Sequence, residues 1–220
     1  LRLHWWLRCC WRCSRWASVT SRRGTRTWRR GACTRWGLLA CGSAWTALTG
    51  NDIFQLISWW IGAPLSIVVC LWQLWGFWKV SEHYTTPAFP WGLAPVTPMV
   101  AATSGGQLAA EHGMFYHHAG IVCFFFTFIP AIPLFAYCYW SLWRRRERPR
   151  GAAAGTAWIP LGVVGQSTAA STFLFDAHLY GIIMFAIGVP CVLFGMYCFY
   201  QAVFTWAPYG PGWWGSTFPV

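Results

Sequence analysis

The chain has 220 residues, of which 56% are hydrophobic and 20% aromatic, while only 10% are charged. Soluble domains carry about 25% charged residues, so this composition excludes a soluble globular protein and marks an integral membrane one. The formal net charge of +11 is crowded into residues 1–36 and 144–150; beside apolar spans, such clusters signal topology rather than a nucleic-acid partner.

Residues 1–50 contain no Asp, Glu, Lys, Ile, Phe, Tyr or Asn and are crowded with Arg, Trp, Cys, Gly and Ser. Arginines recur from Arg2 to Arg35, so no apolar run reaches the ~20 residues that span a bilayer. Three readings fit: an arginine-rich targeting sequence, a basic interfacial arm, or a translated stretch outside the native frame. The change of vocabulary at Asn51 favours the third. We therefore expect a basic segment over 1–50 that adds no ordered helix and is not native transmembrane structure, and a transmembrane domain over 51–220. The cysteines do not suggest a disulfide framework or a metal site. Cys70, Cys123, Cys138, Cys191 and Cys198 lie singly in apolar spans, and Cys9, Cys10 and Cys13 lack a second ligand pair at zinc spacing.

From Asn51 onward five spans are predicted. Residues 53–78, 116–143 and 179–206 are bulky, aromatic and lipid-like. Residues 91–110 and 155–175 are small, polar and interrupted by proline. Lys79 and the arginines of 144–150 both follow bulky spans, which by the positive-inside rule places both in the cytoplasm. That alternation predicts repeated helical hairpins, one inner and one outer helix each. Small and hydroxyl-bearing residues are tolerated within a bilayer where they pack on other helices or line a wet path. Pro160 and its neighbouring glycines should loosen the backbone ladder of 155–175. Candidate path-lining residues are Pro98, Thr103 and Gly106 in one inner span and Pro160, Gly162, Gly165, Gln166, Ser167 and Ser171 in the other.

Three motifs occur in order: Ala94-Pro95-Val96-Thr97-Pro98-Met99-Val100-Ala101-Ala102-Thr103, Trp158-Ile159-Pro160-Leu161-Gly162-Val163-Val164-Gly165-Gln166-Ser167, and Trp213-Trp214-Gly215-Ser216-Thr217-Phe218-Pro219. Together they resemble the tellurite-resistance/dicarboxylate transporter family, which includes plant slow anion channels, fungal malate permeases and sulfite efflux pumps. The resemblance covers about residues 53–220. It implies an all-α membrane fold of ten helices in five hairpins, the inner five kinked around a pore, with about five to six of the ten present here and the chain truncated at its C-terminal end. It also implies transport of small anions (malate-like dicarboxylate, sulfite, tellurite or chloride), a multi-pass location in the cytoplasmic membrane, a homotrimer, and Phe218 as an aromatic ring occluding the pore.

No catalytic set emerges from the five acids, Asp52, Glu82, Glu111, Glu147 and Asp176, and no nucleotide-binding loop is present, so no enzyme is expected. A haem- or quinone-binding oxidoreductase subunit is the alternative, along with a non-functional truncated product. Paired histidines on facing helices can hold haem. However, His112, His117, His118 and His178 lie at span ends, and adjacent His117 and His118 point about 100° apart on a helix. We read them as interfacial and expect no cofactor.

Overall fold

The computed structural model describes residues 28–79, 88–145, 148–208 and 213, with the backbone alone described over 28–36. Among these the α-helices are α1 (Trp28–Thr49), α2 (Ile53–Lys79), α3 (Leu93–His112), α4 (Met114–Arg145), α5 (Ile159–Phe175) and α6 (His178–Phe204). Short 3-10 segments, Phe89–Gly92 and Gly151–Trp158, lead into α3 and α5. Three of the helices are long and apolar enough to cross a membrane: α2, α4 and α6, with mean hydropathies of 1.8, 2.2 and 2.3. These are the three bulky spans read from the sequence. The chain is an all-α membrane protein.

The helices form two rows. Helices α1, α3 and α5 make the inner row, and each pairs with the helix that follows it, α2, α4 or α6. Helix α3 is the hub, packing on α1, α2, α4 and α5. Its small residues allow this: Ala101, Ala102, Ser104, Gly105 and Gly106 are all buried. The α2–α3 pair is antiparallel, because steps up α2 match steps down α3. Gln55 Nε2 donates to Ser104 Oγ and Gln107 Oε1, both at 2.9 Å. Trp59 Nε1 donates to the Ala101 carbonyl at 3.0 Å, and Gln73 Nε2 to the Trp91 carbonyl at 2.6 Å. Buried amides in apolar surroundings are tolerated only when paired in this way.

Helix α3 ends at Gly113, whose φ of 96° lies in the left-handed region that glycine enters without strain. The chain then reverses into α4. Helix α5 ends at Asp176, which is left-handed with φ 48°, and the chain reverses again into α6. All the outer helices therefore run one way and the inner helices the other. Lys79, Arg144 and Arg145 share one end of the bundle, and Asp52, Glu111, Asp176, His112, His117, His118 and His178 share the opposite one. At the basic end Lys79 Nζ lies 5.1 Å from the Trp75 ring centroid, and the Arg144 guanidinium 5.2 Å from that of Trp140.

Residues 28–49 depart from expectation. The sequence predicts no ordered helix there, but α1 runs from Trp28 to Thr49 and packs on α2 and α3. Leu39 is fully buried in a cluster with Trp59, Met99, Ala170 and Leu174. Gly42 permits the close approach, since a Cβ on it would stand 2.1 Å from Ser58 Oγ and 3.1 Å from Gln55 Cα. The arginines stop at Arg35, and the small residues beyond them build a helix of modest hydropathy that is stabilised by fit. Residues 1–27, including Cys9, Cys10 and Cys13, lie outside the described residues.

Candidate functional site

The residues expected to line a path fall along α3 and α5, which lie side by side and parallel. Two contacts set their spacing. Gly106 of α3 faces Phe173 of α5 so closely that a Cβ on Gly106 would stand 2.6 Å from Phe173 Cβ. Three residues earlier, Thr103 meets Gln166.

The Thr103 hydroxyl lies 3.2 Å from Gln166 Oε1, 3.3 Å from the Gln166 carbonyl and 3.1 Å from the Met99 carbonyl of its own helix. A hydroxyl has one proton to donate, so these acceptors share it. The consequence lies on Gln166. Its carboxamide oxygen is turned toward Thr103, and its two N–H donors take no partner among the described residues. Both side chains are half-buried. Beside them Gly165 is exposed, with nothing within 4 Å of where its Cβ would be.

The other predicted residues of α5 turn away from this face. Ser167 and Ser171 are buried, at 0% and 1% exposure, and their hydroxyls donate to the Val164 and Thr168 carbonyls of their own helix. Pro160 and Gly162 are buried as well. Pro160 sits in the first turn of α5, the helical position that proline tolerates best. The backbone ladder of 155–175 changes at Pro160: it is 3-10 up to Trp158 and α-helical from Ile159. In α3, Pro98 and Gly106 are buried and Thr103 is half-buried. Pro98 lies inside α3 and leaves the Ala94 carbonyl without the N–H an ordinary residue would supply. The expected aromatic gate, Phe218, lies outside the described residues.

Toward the acidic end, α1, α2 and α3 enclose a separate cavity of about 230 Å³ lined by Ser43, Thr46, Ala47, Asp52, Gln55, Gln107, Leu108 and Glu111. Gln55, 2% exposed, donates across its floor to Ser104 and Gln107. Asp52, one of its lining residues, contacts His112 Nε2 through Oδ2. Sequence reasoning missed this cavity. The available signal was Gln55 itself, an amide inside an otherwise apolar span, which demands partners. His117 and His118 are neighbours on α4, with ring centroids 5.8 Å apart and planes nearly perpendicular.

A family model described as voltage-dependent anion channel matches residues 31–220. No curated protein and no solved structure matches the chain.

Proposed function

This chain belongs to the voltage-dependent anion channel family, and on that premise we propose that it passes small anions along the face carrying Thr103, Gly165 and Gln166. The observation behind this reading is the left-over amide of Gln166. With its oxygen directed to Thr103, it offers two neutral N–H donors beside an uncovered glycine. Neutral donors attract an anion weakly enough to release it, whereas a buried arginine would hold it. Pro98, Gly106, Pro160, Gly162, Ser167 and Ser171 support the face from behind by letting α3 and α5 approach their neighbours. Phe218 is the occluding ring of the path, dewetting a constriction until it rotates aside. The assembly is a homotrimer in the cytoplasmic membrane, and C4-dicarboxylate, sulfite, tellurite and chloride are the candidate cargoes.

Reconstitution in vesicles tests the reading. Gln166→Glu places a carboxylate where the anion passes, and Gln166→Ala removes the donors. Anion flux per folded molecule should fall in both, further in Gln166→Glu. Unchanged flux in Gln166→Glu would remove this face from the path.

A further inference from the structure

The charged residues that line the cavity between α1, α2 and α3 are both acids: Asp52 from the α1–α2 turn and Glu111 from the last turn of α3. His112 adjoins them and touches Asp52 Oδ2 through Nε2. One ligand atom from each of Asp52, Glu111 and His112 lies within 4.8 Å of the other two. Ligand bonds of about 2.0–2.6 Å put atoms on opposite sides of one metal ion about 4–5 Å apart. The three atoms therefore stand at separations that a shared ion accepts. Glu111 is exposed and Asp52 partly so, which gives an ion a way in from water.

A second observation comes from the floor of the cavity. Gln55 is 2% exposed, and its Nε2 is committed to Ser104 Oγ and Gln107 Oε1, each at 2.9 Å. Its Oε1 meets no donor among the described residues, although Gln55 lines the cavity. A buried carbonyl oxygen requires a partner, and here the partner must come from what the cavity holds. Water carried by a cation donates to such an oxygen. The volume of about 230 Å³ holds several waters at about 30 Å³ each.

We propose that Asp52, Glu111 and His112 bind one hard divalent cation, of the Mn²⁺ or Ca²⁺ class, whose remaining water ligands occupy the cavity and donate to Gln55 Oε1. The donor set decides the class. Two carboxylates and one imidazole favour a cation that accepts oxygen ligands, and no thiolate is present to select a soft one. The charge agrees as well. Two carboxylates held this close repel each other, and a doubly charged ion offsets both. So placed, the ion ties the start of an outer helix to the end of the inner helix α3.

Binding of Mn²⁺ tests the site without reference to transport. This ion takes carboxylate and imidazole ligands and has little affinity for the ten cysteines of the chain. With the purified full chain in detergent, uptake is read from the loss of the free-ion electron paramagnetic resonance signal. An ion that binds the folded state also raises the thermal unfolding midpoint, which gives a second readout. The parent chain should take up one Mn²⁺ at this site. Glu111→Gln and Asp52→Asn should each weaken uptake about tenfold or more, since even outer-shell partners act on that scale. Both should also lose the Mn²⁺-dependent rise in midpoint. Each keeps the size of the side chain it replaces, and either one that folds decides the matter. Asp176→Asn is the control: Asp176 stands 3.3 Å from His178 but belongs to no such three-residue group among the described residues, so neither readout should change. A parent chain that takes up no Mn²⁺, or uptake that Glu111→Gln and Asp52→Asn leave unchanged, overturns the site.

Discussion

Leu39 of α1 lies directly over Gly62 of α2: a Cβ on Gly62 would stand 2.7 Å from Leu39 Cγ. This leucine, from a stretch whose composition argues against a bundle helix, is completely buried against the core of α2, α3 and α5. Truncating it leaves a void that the glycine cannot fill. Leu39→Ala should therefore destabilise the folded protein by about 2–5 kcal/mol, read as a lowered unfolding midpoint in detergent. An unchanged midpoint would mean that α1 does not dock as described.

The α3–α5 seam is tightest at Gly106, where the neighbouring atom is the Cβ of Phe173. A Cβ cannot swing away as a side-chain tip can, so one backbone must move. Gly106→Val should cost about 1–3 kcal/mol through overpacking and should also disturb the Thr103–Gln166 contact. Gly165→Ala, where the space is open, should leave stability unchanged or slightly improved. Thermal unfolding of the two variants side by side provides the comparison.

The gate makes a prediction of opposite sign for flux and for folding. Phe218→Ala should raise anion flux per folded molecule if the ring occludes the path. A ring that only packs would instead lower the yield of folded protein, by roughly 3–5 kcal/mol of stability if fully buried. Flux normalised to folded protein separates these outcomes, and unchanged or reduced flux excludes the gate.

Orientation follows from the ends of the bundle. Lys79, Arg144, Arg145, Arg148 and Arg150 should face the cytoplasm, with Glu111 and Asp176 outside. Arg148→Cys should resist an impermeant thiol reagent in intact cells, whereas Asp176→Cys should react. Modification of Arg148→Cys from outside would invert the topology.

Acid stability should carry the mark of Asp52. Its carboxyl titrates below the ordinary value, chiefly because His112 hydrogen-bonds to the ionised form. A depressed folded-state pKa contributes stability that is present above the unfolded value and lost as pH falls through the folded one. Unfolding midpoints followed downward from about pH 5 should decline less steeply in Asp52→Asn than in the parent chain. Parallel curves would show that the pair adds nothing to folding.

Much of the scaffold was legible because hydropathy is a local property. The predicted spans 53–78, 116–143 and 179–206 match α2, α4 and α6 to within a few residues, since long apolar runs ending at charges need no partner to be recognised. The small, polar character of 91–110 and 155–175 likewise marked α3 and α5 as inner helices, and three motifs carried the family. Which way those inner helices turn was not legible. Small residues line α5 around its circumference, so no apolar stripe says whether Gly165 and Gln166 or Ser167 and Ser171 face outward. The rotation is set by Phe173 against Gly106 and by Thr103 against Gln166, sixty-three positions apart. Helix α1 was hidden for a related reason. Its stability comes from the fit of Leu39 and Gly42 against α2, which no property of its own residues reports. The Asp52–His112 and Gln55–Gln107 contacts also span long separations. Asp52 and His112 each read alone as an interfacial polar group and Gln55 as an amide in need of a partner, and only the antiparallel packing of α2 on α3 supplies those partners.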